Sequence, residues 1–156
     1  MTRTYEIQIA DLQEQHVALV RGHISVEQIP EFLGGAYSEV PGVAAQQGLR
    51  LTGAPFGRYR FSPDGTLNVE AGFPVSGVVS ADGRVEPGVL PGGTVARTLH
   101  VGGYDTVADA YEAVESYLTD NGYAPVSPAW ECYLDDPDVP QPRTEVFLPC
   151  RAVKPG

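Results

Sequence analysis

Cysteine is scarce in this 156-residue chain: Cys132 and Cys150 are the only two, and they form no Cys-x-x-Cys pair. That argues against a disulfide framework and against a thiolate zinc site, and both thiols sit in strand-like runs where inert burial is the expected state. His16, His23 and His100 lack metal-ligand spacing, so neither a metal nor another cofactor is expected. Basic residues are also few. Ten Lys and Arg face 20 Asp and Glu, for a formal net charge of -10, which would repel a phosphate backbone, and no helix-turn-helix or basic arm is visible. Direct nucleic-acid binding is therefore not expected. The acid surplus favours solubility, a cationic ligand or a basic protein partner. No apolar run approaches the roughly 20 residues that cross a bilayer. Met1-Thr2-Arg3-Thr4 leads into a strand pattern and not a signal sequence, so a cytoplasmic location and no membrane contact are expected.

What the chain does have is glycine, 18 residues, and proline, 14, which implies short elements and many turns. Its length fits one compact domain spanning 1–156. Within it the second half repeats the first. Pro55-Phe56-Gly57-Arg58-Tyr59, followed by Glu70-Ala71-Gly72-Phe73-Pro74, matches Ala129-Trp130-Glu131-Cys132-Tyr133, followed by Glu145-Val146-Phe147-Leu148-Pro149. Pseudo-repeats of about 4–78 and 92–153 result, with Gly57 corresponding to Glu131. Two copies of one supersecondary unit are implied, and the unmatched acid is where a site would depart from the scaffold.

Residues 16–23 alternate as a strand and meet Ser25-x-x-Gln28, a capping-box signature. The helix that follows holds Ile29, Phe32, Leu33, Ala36, Val40, Val43 and Ala44 at roughly helical spacing, with a kink or break expected near Pro41. Gly48 fits its C-terminus, and residues 56–61 and 67–75 read as strands joined by Ser62-Pro63-Asp64-Gly65. The second repeat has a strand over 94–101, a helix opened by Thr106-x-x-Asp109, and one apolar stripe of Val107, Ala110, Tyr111, Val114, Tyr117 and Leu118. Gly122 closes that helix, and strands over 129–134 and 144–150 form a final hairpin. Residues 5–10 read as an additional strand and 80–93 as a turn-rich crossover. The fold class is α+β: duplicated strand-helix-strand-strand modules, an antiparallel sheet with two main helices on one face, and a ligand groove between the modules.

In the final hairpin, a register that pairs Trp130, Cys132 and Leu134 with Val146, Leu148 and Cys150 makes one apolar face under the helices. Glu131, Tyr133, Phe147 and Pro149 then share the opposite face, an acid beside a phenol and a ring. The matching set in the first repeat is Gly57, Tyr59, Gly72 and Pro74, where glycines open space. His100 and Tyr104 lie at the strand-to-helix turn, where they either reach a pocket end or serve the turn. The ordinary alternative for Glu131 is an exposed strand residue paired with Arg143 or Arg58. For Glu70 and Glu145, which occupy equivalent positions, pairing with Arg60 or another strand base is the expected role. A lone carboxylate among rings suits a flat organic cation, since a charge pair near 4 Å at an effective dielectric of 20 is worth about 4 kcal/mol before desolvation.

Several ordered stretches together resemble GyrI-like small-molecule-binding domains, the effector-binding domains of AraC- and MerR-type regulators. They are Gly53-Ala54-Pro55-Phe56, Val69-Glu70-Ala71-Gly72-Phe73-Pro74-Val75, Leu90-Pro91-Gly92-Gly93, His100-Val101-Gly102-Gly103-Tyr104-Asp105-Thr106, Trp130-Glu131-Cys132-Tyr133-Leu134-Asp135-Asp136-Pro137 and Arg143-Thr144-Glu145-Val146. The resemblance implies paired modules and a groove for hydrophobic, aromatic or cationic molecules, with the glutamate of Trp-Glu-x-Tyr, here Glu131, touching them. It implies drug sensing, sequestration or resistance, with Glu131, Tyr133, Tyr59, Phe147, Tyr104, His100, Gly57 and Gly72 as candidate ligand-binding residues. Some stand-alone members are similar to hydrolases that open cyclopropane rings of DNA-alkylating natural products. On that reading Glu131 is a general base and Tyr133 or Tyr104 a hydrogen-bond donor. Inhibition of DNA gyrase by charge mimicry is a further, lower-ranked reading.

Overall fold

The computed structural model describes residues 5–103, 106–126, 129–135 and 139–153. Nine strands and two helices follow in the order β1 (Gln8–Leu12), β2 (Gln15–Ser25), α1 (Ile29–Gln46), β3 (Phe56–Phe61), β4 (Thr66–Pro74), β5 (Val85–Leu90), β6 (Gly93–Val101), α2 (Val107–Asp120), β7 (Tyr123–Pro125), β8 (Trp130–Tyr133) and β9 (Arg143–Ala152). They fall into two compact units. One comprises residues 14–91; the other joins the chain before residue 14 to the chain from residue 92 onward. All strand pairs within each unit are antiparallel, as the α+β reading expects.

In the unit of residues 14–91 the strand order is β3-β4-β2-β5. Ser25 and Gln28 form the expected contact, the Ser25 N–H donating to Gln28 Oε1 at 2.9 Å, and a short 3-10 turn over Val26–Gln28 leads into α1. Helix α1 buries Ala36, Val40 and Ala44, one residue per turn, against Ala18, Val20, Leu67, Val69 and Ala71 of the sheet. The two alanines let the helix backbone come close to the strands. Of the kink or break expected near Pro41, the break is absent: α1 runs continuously to Gln46 with Pro41 inside it. Proline in a helix interior costs about 3 kcal/mol through its missing N–H and its clash with the preceding turn. Burial of Val40 and Ala44 on either side offsets that cost. Gly48 takes the left-handed conformation that ends the helix, at φ 72°, and Gly65 takes it in the β3–β4 turn, at φ 87°.

The crossover expected over 80–93 contains a strand. β5 pairs along β2 from Gln15↔Leu90 to Val20↔Val85, and Val85 and Leu90 are buried. Pro87 and Gly88 disguise it, and an edge position tolerates them because one side of the strand carries no ladder in this unit.

In the other unit the order is β1-β6-β9-β8, with β7 on β9. Strand β1, expected with the first repeat, pairs with β6 of the second, from Gln8↔Arg97 to Leu12↔Gly93. It lies beside β6 as β5 lies beside β2, so each unit has a four-strand order with its extra edge strand next to the strand that precedes the helix. Helix α2 buries Ala110, Val114 and Leu118, and the last two pack with Ala96, Leu148 and Cys150. Gly122 ends it at φ 77°, after which β7, a strand the sequence did not announce, pairs Tyr123 with Ala152. The capping box expected at Thr106 does not form: its side chain makes no cap bond to the helix and its Oγ1 donates to the Gly103 carbonyl at 3.0 Å.

The final hairpin corrects the expected register by one residue. Trp130 stands opposite Phe147, and Glu131 opposite Val146. Trp130 and Phe147 stack with ring centroids 5.4 Å apart and planes 13° apart. A one-residue slip exchanges the faces of a strand, so Phe147 goes with Trp130, and Glu131 and Tyr133 share the face of Val146, Leu148 and Cys150, the face that α2 covers.

Gly72 is fixed by packing between strands. A Cβ built there would meet the Ala18 carbonyl oxygen at 1.9 Å, so its missing side chain serves the approach of β4 to β2. Gly72→Ala is expected to destabilise the protein by about 3 kcal/mol, the upper end of ordinary overpacking, read as a lowered urea midpoint at unchanged slope.

Candidate functional site

Among the described residues four polar side chains are buried: Thr98, His100, Glu131 and Thr144. All four lie on the α2-facing side of one sheet, in two adjacent cross-strand rows. The first row is Thr98–Val146–Glu131 and the second His100–Thr144–Tyr133. The equivalent rows of the other unit are Val20–Ala71–Gly57 and Gly22–Val69–Tyr59. One repeat thus carries acid, imidazole and hydroxyls where its twin carries glycine and valine. The register confirms the equivalence of Gly57 and Glu131 that the sequence repeat implied.

Glu131 is 8% exposed, and both carboxylate oxygens are held by phenols. Tyr111 donates its hydroxyl to Oε2 at 2.5 Å, and Tyr133 donates to Oε1 at 3.1 Å. Tyr111 comes from α2. It was read as part of the apolar stripe, and sequence reasoning missed its role. The available signal was chemical: a tyrosine in a buried stripe needs a partner for its hydroxyl. Its counterpart follows from the helix repeats, since Ala36, Val40 and Ala44 match Ala110, Val114 and Leu118 and therefore place Tyr37 at Tyr111. With no side chain at Gly57, Tyr37 donates instead to the Phe56 backbone carbonyl at 2.8 Å.

No Arg or Lys pairs with this acid among the described residues. Arg143, offered as a partner by the sequence, binds Asp135 at 2.9 Å, and Arg58 lies 3.8 Å from Glu70. Glu70 also takes Arg21 at 2.8 Å, so it is the structural residue expected, with Arg21 and Arg58 in place of Arg60. Burial raises the Glu131 pKa above the ordinary carboxylate value, against the opposing effects of Tyr111, Tyr133 and the nearby His100. Burial, helped by Glu145 and Glu131, pushes the neighbouring Cys132 thiol up to about 12. Cys150 is buried as expected and Cys132 only half-buried, and this shift keeps Cys132 in the thiol form, the less nucleophilic one.

Around the acid, Thr144 is fully buried and its Oγ1 has no hydrogen-bond partner among the described residues. His100 is also fully buried, and both of its ring nitrogens have partners inside the protein. Of the other candidates, Phe147 lies on the opposite face of the sheet, stacked on Trp130. Tyr59, Gly57 and Gly72 belong to the other unit, where Tyr59 packs at the margin of the core. Tyr104 lies outside the described residues. The structure therefore brings together Glu131 and Tyr133 from the sequence-based set, with His100 one row away, and adds Tyr111. The described residues contain no cluster of three or more His, Cys, Asp or Glu able to hold a metal, and no helix is long and apolar enough to cross a membrane.

Comparison with known proteins bears on this site. The profile of the GyrI-like small molecule binding domain matches residues 5–151. Comparison with curated proteins gives no match. Among solved structures the chain is similar to the EcmrR C-terminal domain, at 22% identity and a TM-score of 0.82, covering 97% of this chain and all of that one. It spans 58% of the EcmrR chain in a complex with DNA. It is similar as well to a hydrolase from Listeria innocua, at 14% identity and a TM-score of 0.70, covering 94% of this chain and 92% of the other. A third relative is SAV2435 bound to tetraphenylphosphonium, at 14% identity and a TM-score of 0.59, with 94% of each chain covered. At these identities the likeness establishes the fold.

The raised pKa of Glu131 has a consequence for stability. The folded protein holds a proton there at pH values where the unfolded chain has released it, so stability falls as pH rises from about 4.5, the ordinary glutamate range, up to the raised value. Glu131→Gln carries no titrating proton and is expected to lose this part of the decline, seen in thermal midpoints measured across that range.

Proposed function

Because the chain belongs to the GyrI-like small-molecule-binding family, we propose that it captures a planar hydrophobic cation with Glu131 as the charge anchor and Tyr133 and Tyr111 as the adjoining aromatic groups. The observation that carries this reading is the buried carboxylate held by two phenols with no Arg or Lys partner among the described residues. A buried charge is costly unless paired, and neither phenol supplies positive charge. A cation does. Each carboxylate oxygen has two lone pairs, and one phenol on each leaves acceptor capacity in place. Aromatic rings add about 0.5–2 kcal/mol where a cation meets a ring face. The likeness to SAV2435, whose structure holds a tetrahedral, aryl-covered phosphonium cation, supports the hydrophobic and cationic character of the ligand. Sequestration, sensing or drug resistance inside the cell follows from such binding.

A second reading has its own support in the proton affinity of Glu131. A carboxylate whose pKa is raised by burial is suited to general-base work near neutral pH. Glu131 would take a proton from water as the water oxygen bonds to a ring carbon of a strained cyclopropane; the pair of the breaking C–C bond would pass to the conjugated substrate carbonyl, hydrogen-bonded by Tyr133, and the proton held on Glu131 would then complete the opened product.

Calorimetric titration with tetraphenylphosphonium and with neutral triphenylphosphine oxide tests the first reading. Glu131→Gln is expected to weaken the cation by about tenfold or more, some 1.4 kcal/mol, and to leave the neutral compound unchanged. Equal affinity of both proteins for the cation removes the anchor role. Incubation with a cyclopropane-bearing alkylator, followed by mass spectrometry, tests the second: a catalytic yield of water adduct, lost in Glu131→Gln, is expected of an enzyme, and stoichiometric binding without product rejects it.

A further inference from the structure

Near Glu131 a second polar chain runs through the same unit. Thr98 Oγ1 donates to the Glu6 carbonyl at 2.8 Å, which fixes the segment ahead of β1. From that segment the Tyr5 hydroxyl lies 2.9 Å from His100 Nδ1, with the two rings stacked at 6.0 Å and 28°. On its other side His100 Nε2 lies 3.1 Å from both the Gly103 carbonyl and Thr106 Oγ1. The proton positions follow from the partners. A carbonyl only accepts, so Nε2 carries a hydrogen; Thr106 gives its own proton to Gly103, leaving its oxygen to accept. In the neutral ring Nδ1 then accepts from Tyr5.

This chain ties the segment before β1, strand β6 and the first residue ahead of α2 to one another. It stands where a side-chain cap would otherwise fix the start of α2, since Thr106 provides none. Tyr111 follows five residues later. In the other unit the equivalent of His100 is Gly22, and the helix repeat that matches Tyr37 to Tyr111 matches Phe32 to Thr106. There the Phe32 ring fills the space, so close that a Cβ on Gly22 would meet it at 2.4 Å. The twin unit thus attaches its helix by apolar packing. Burying a polar chain costs desolvation that a phenyl ring avoids, so adhesion alone does not call for it. Hydrogen bonds add direction: they fix the height and rotation of α2, and the phenol that must meet a carboxylate oxygen depends on both.

We propose that Tyr5 and His100 are positioning residues of the ligand site, which set Tyr111 against Glu131 without touching the ligand. The proposal rests on the reading of Glu131 as the cation anchor. Tyr5→Phe keeps the stacked ring and deletes the hydroxyl. Its effect is read on the downfield hydroxyl proton of Tyr111 in the NMR spectrum, assigned by its loss in Tyr111→Phe, and on tetraphenylphosphonium affinity in the native and Glu131→Gln backgrounds. The resonance is expected to move upfield and the affinity to fall about fivefold, the equivalent of one ordinary hydrogen bond, with no further fall once Glu131 is Gln. His100→Gln, whose amide still donates toward Gly103, is expected to retain more affinity than His100→Phe. An unmoved resonance in folded Tyr5→Phe overturns the proposal, and so does an equal loss of affinity in both backgrounds. If the native protein binds no phosphonium, the anchor reading fails by itself, and the Tyr111 resonance alone decides whether Tyr5 and His100 position that phenol.

Discussion

A carboxylate buried between two phenols, with no Arg or Lys paired to it among the described residues, is the interaction on which the rest of this structure turns. Glu131 is kept from bulk water by the helix that covers its sheet, and each oxygen accepts a hydrogen bond from one phenol hydroxyl. Such an arrangement holds the acid in place without cancelling its charge. Ionised, it attracts any cation able to reach it; protonated, it is an ordinary buried acid. The balance between these states is set by burial on one side and by Tyr111, Tyr133 and His100 on the other.

The two repeats carry different chemistry on the same scaffold. Both cover an antiparallel four-strand order with a helix that buries one small or branched residue per turn, and both aim a tyrosine from that helix toward the strand that carries position 57 or 131. In the unit with Gly57 the hydroxyl ends on backbone, and the rows beneath are Val20, Ala71 and Val69. In the unit with Glu131 those rows hold Thr98, Val146 and Thr144, joined by His100. Among the described residues the change from apolar packing to a hydrogen-bonded network lies on the α2-covered face of one unit.

The departures from expectation each have a physical cause. Strand β5 was hidden because Pro87 and Gly88 break the pattern that marks a strand, although an edge tolerates both. Pro41 points to a kink or break because its local cost is real, yet burial on either side of it keeps α1 continuous. Thr106 was read as a cap, but its oxygen is taken by Gly103 and His100. For β5 and Pro41 a local rule was outweighed by a position in the sheet or by packing against residues distant in sequence; for Thr106 a nearer carbonyl and imidazole took the oxygen that a cap would have used.

The sequence by itself determined the repeat, both helices with their buried stripes, the glycine stops at Gly48 and Gly122, the β3–β4 turn and the correspondence of Gly57 with Glu131. Those features depend on periodicity, turn chemistry and internal comparison, all of which are local or self-referential. It also carried the family, through motifs spread along most of its length. Which face Glu131 takes was decided only by tertiary structure, because strand alternation fixes a pair of faces but not which of them meets the helix. Pairing Trp130 with Phe147 made that choice, stacking two large rings on one side and turning the acid toward Tyr111 on the other. Tyr5 and His100, 95 residues apart, met for the same reason: β1 pairs with the second repeat, and no local pattern records the partner a strand will find.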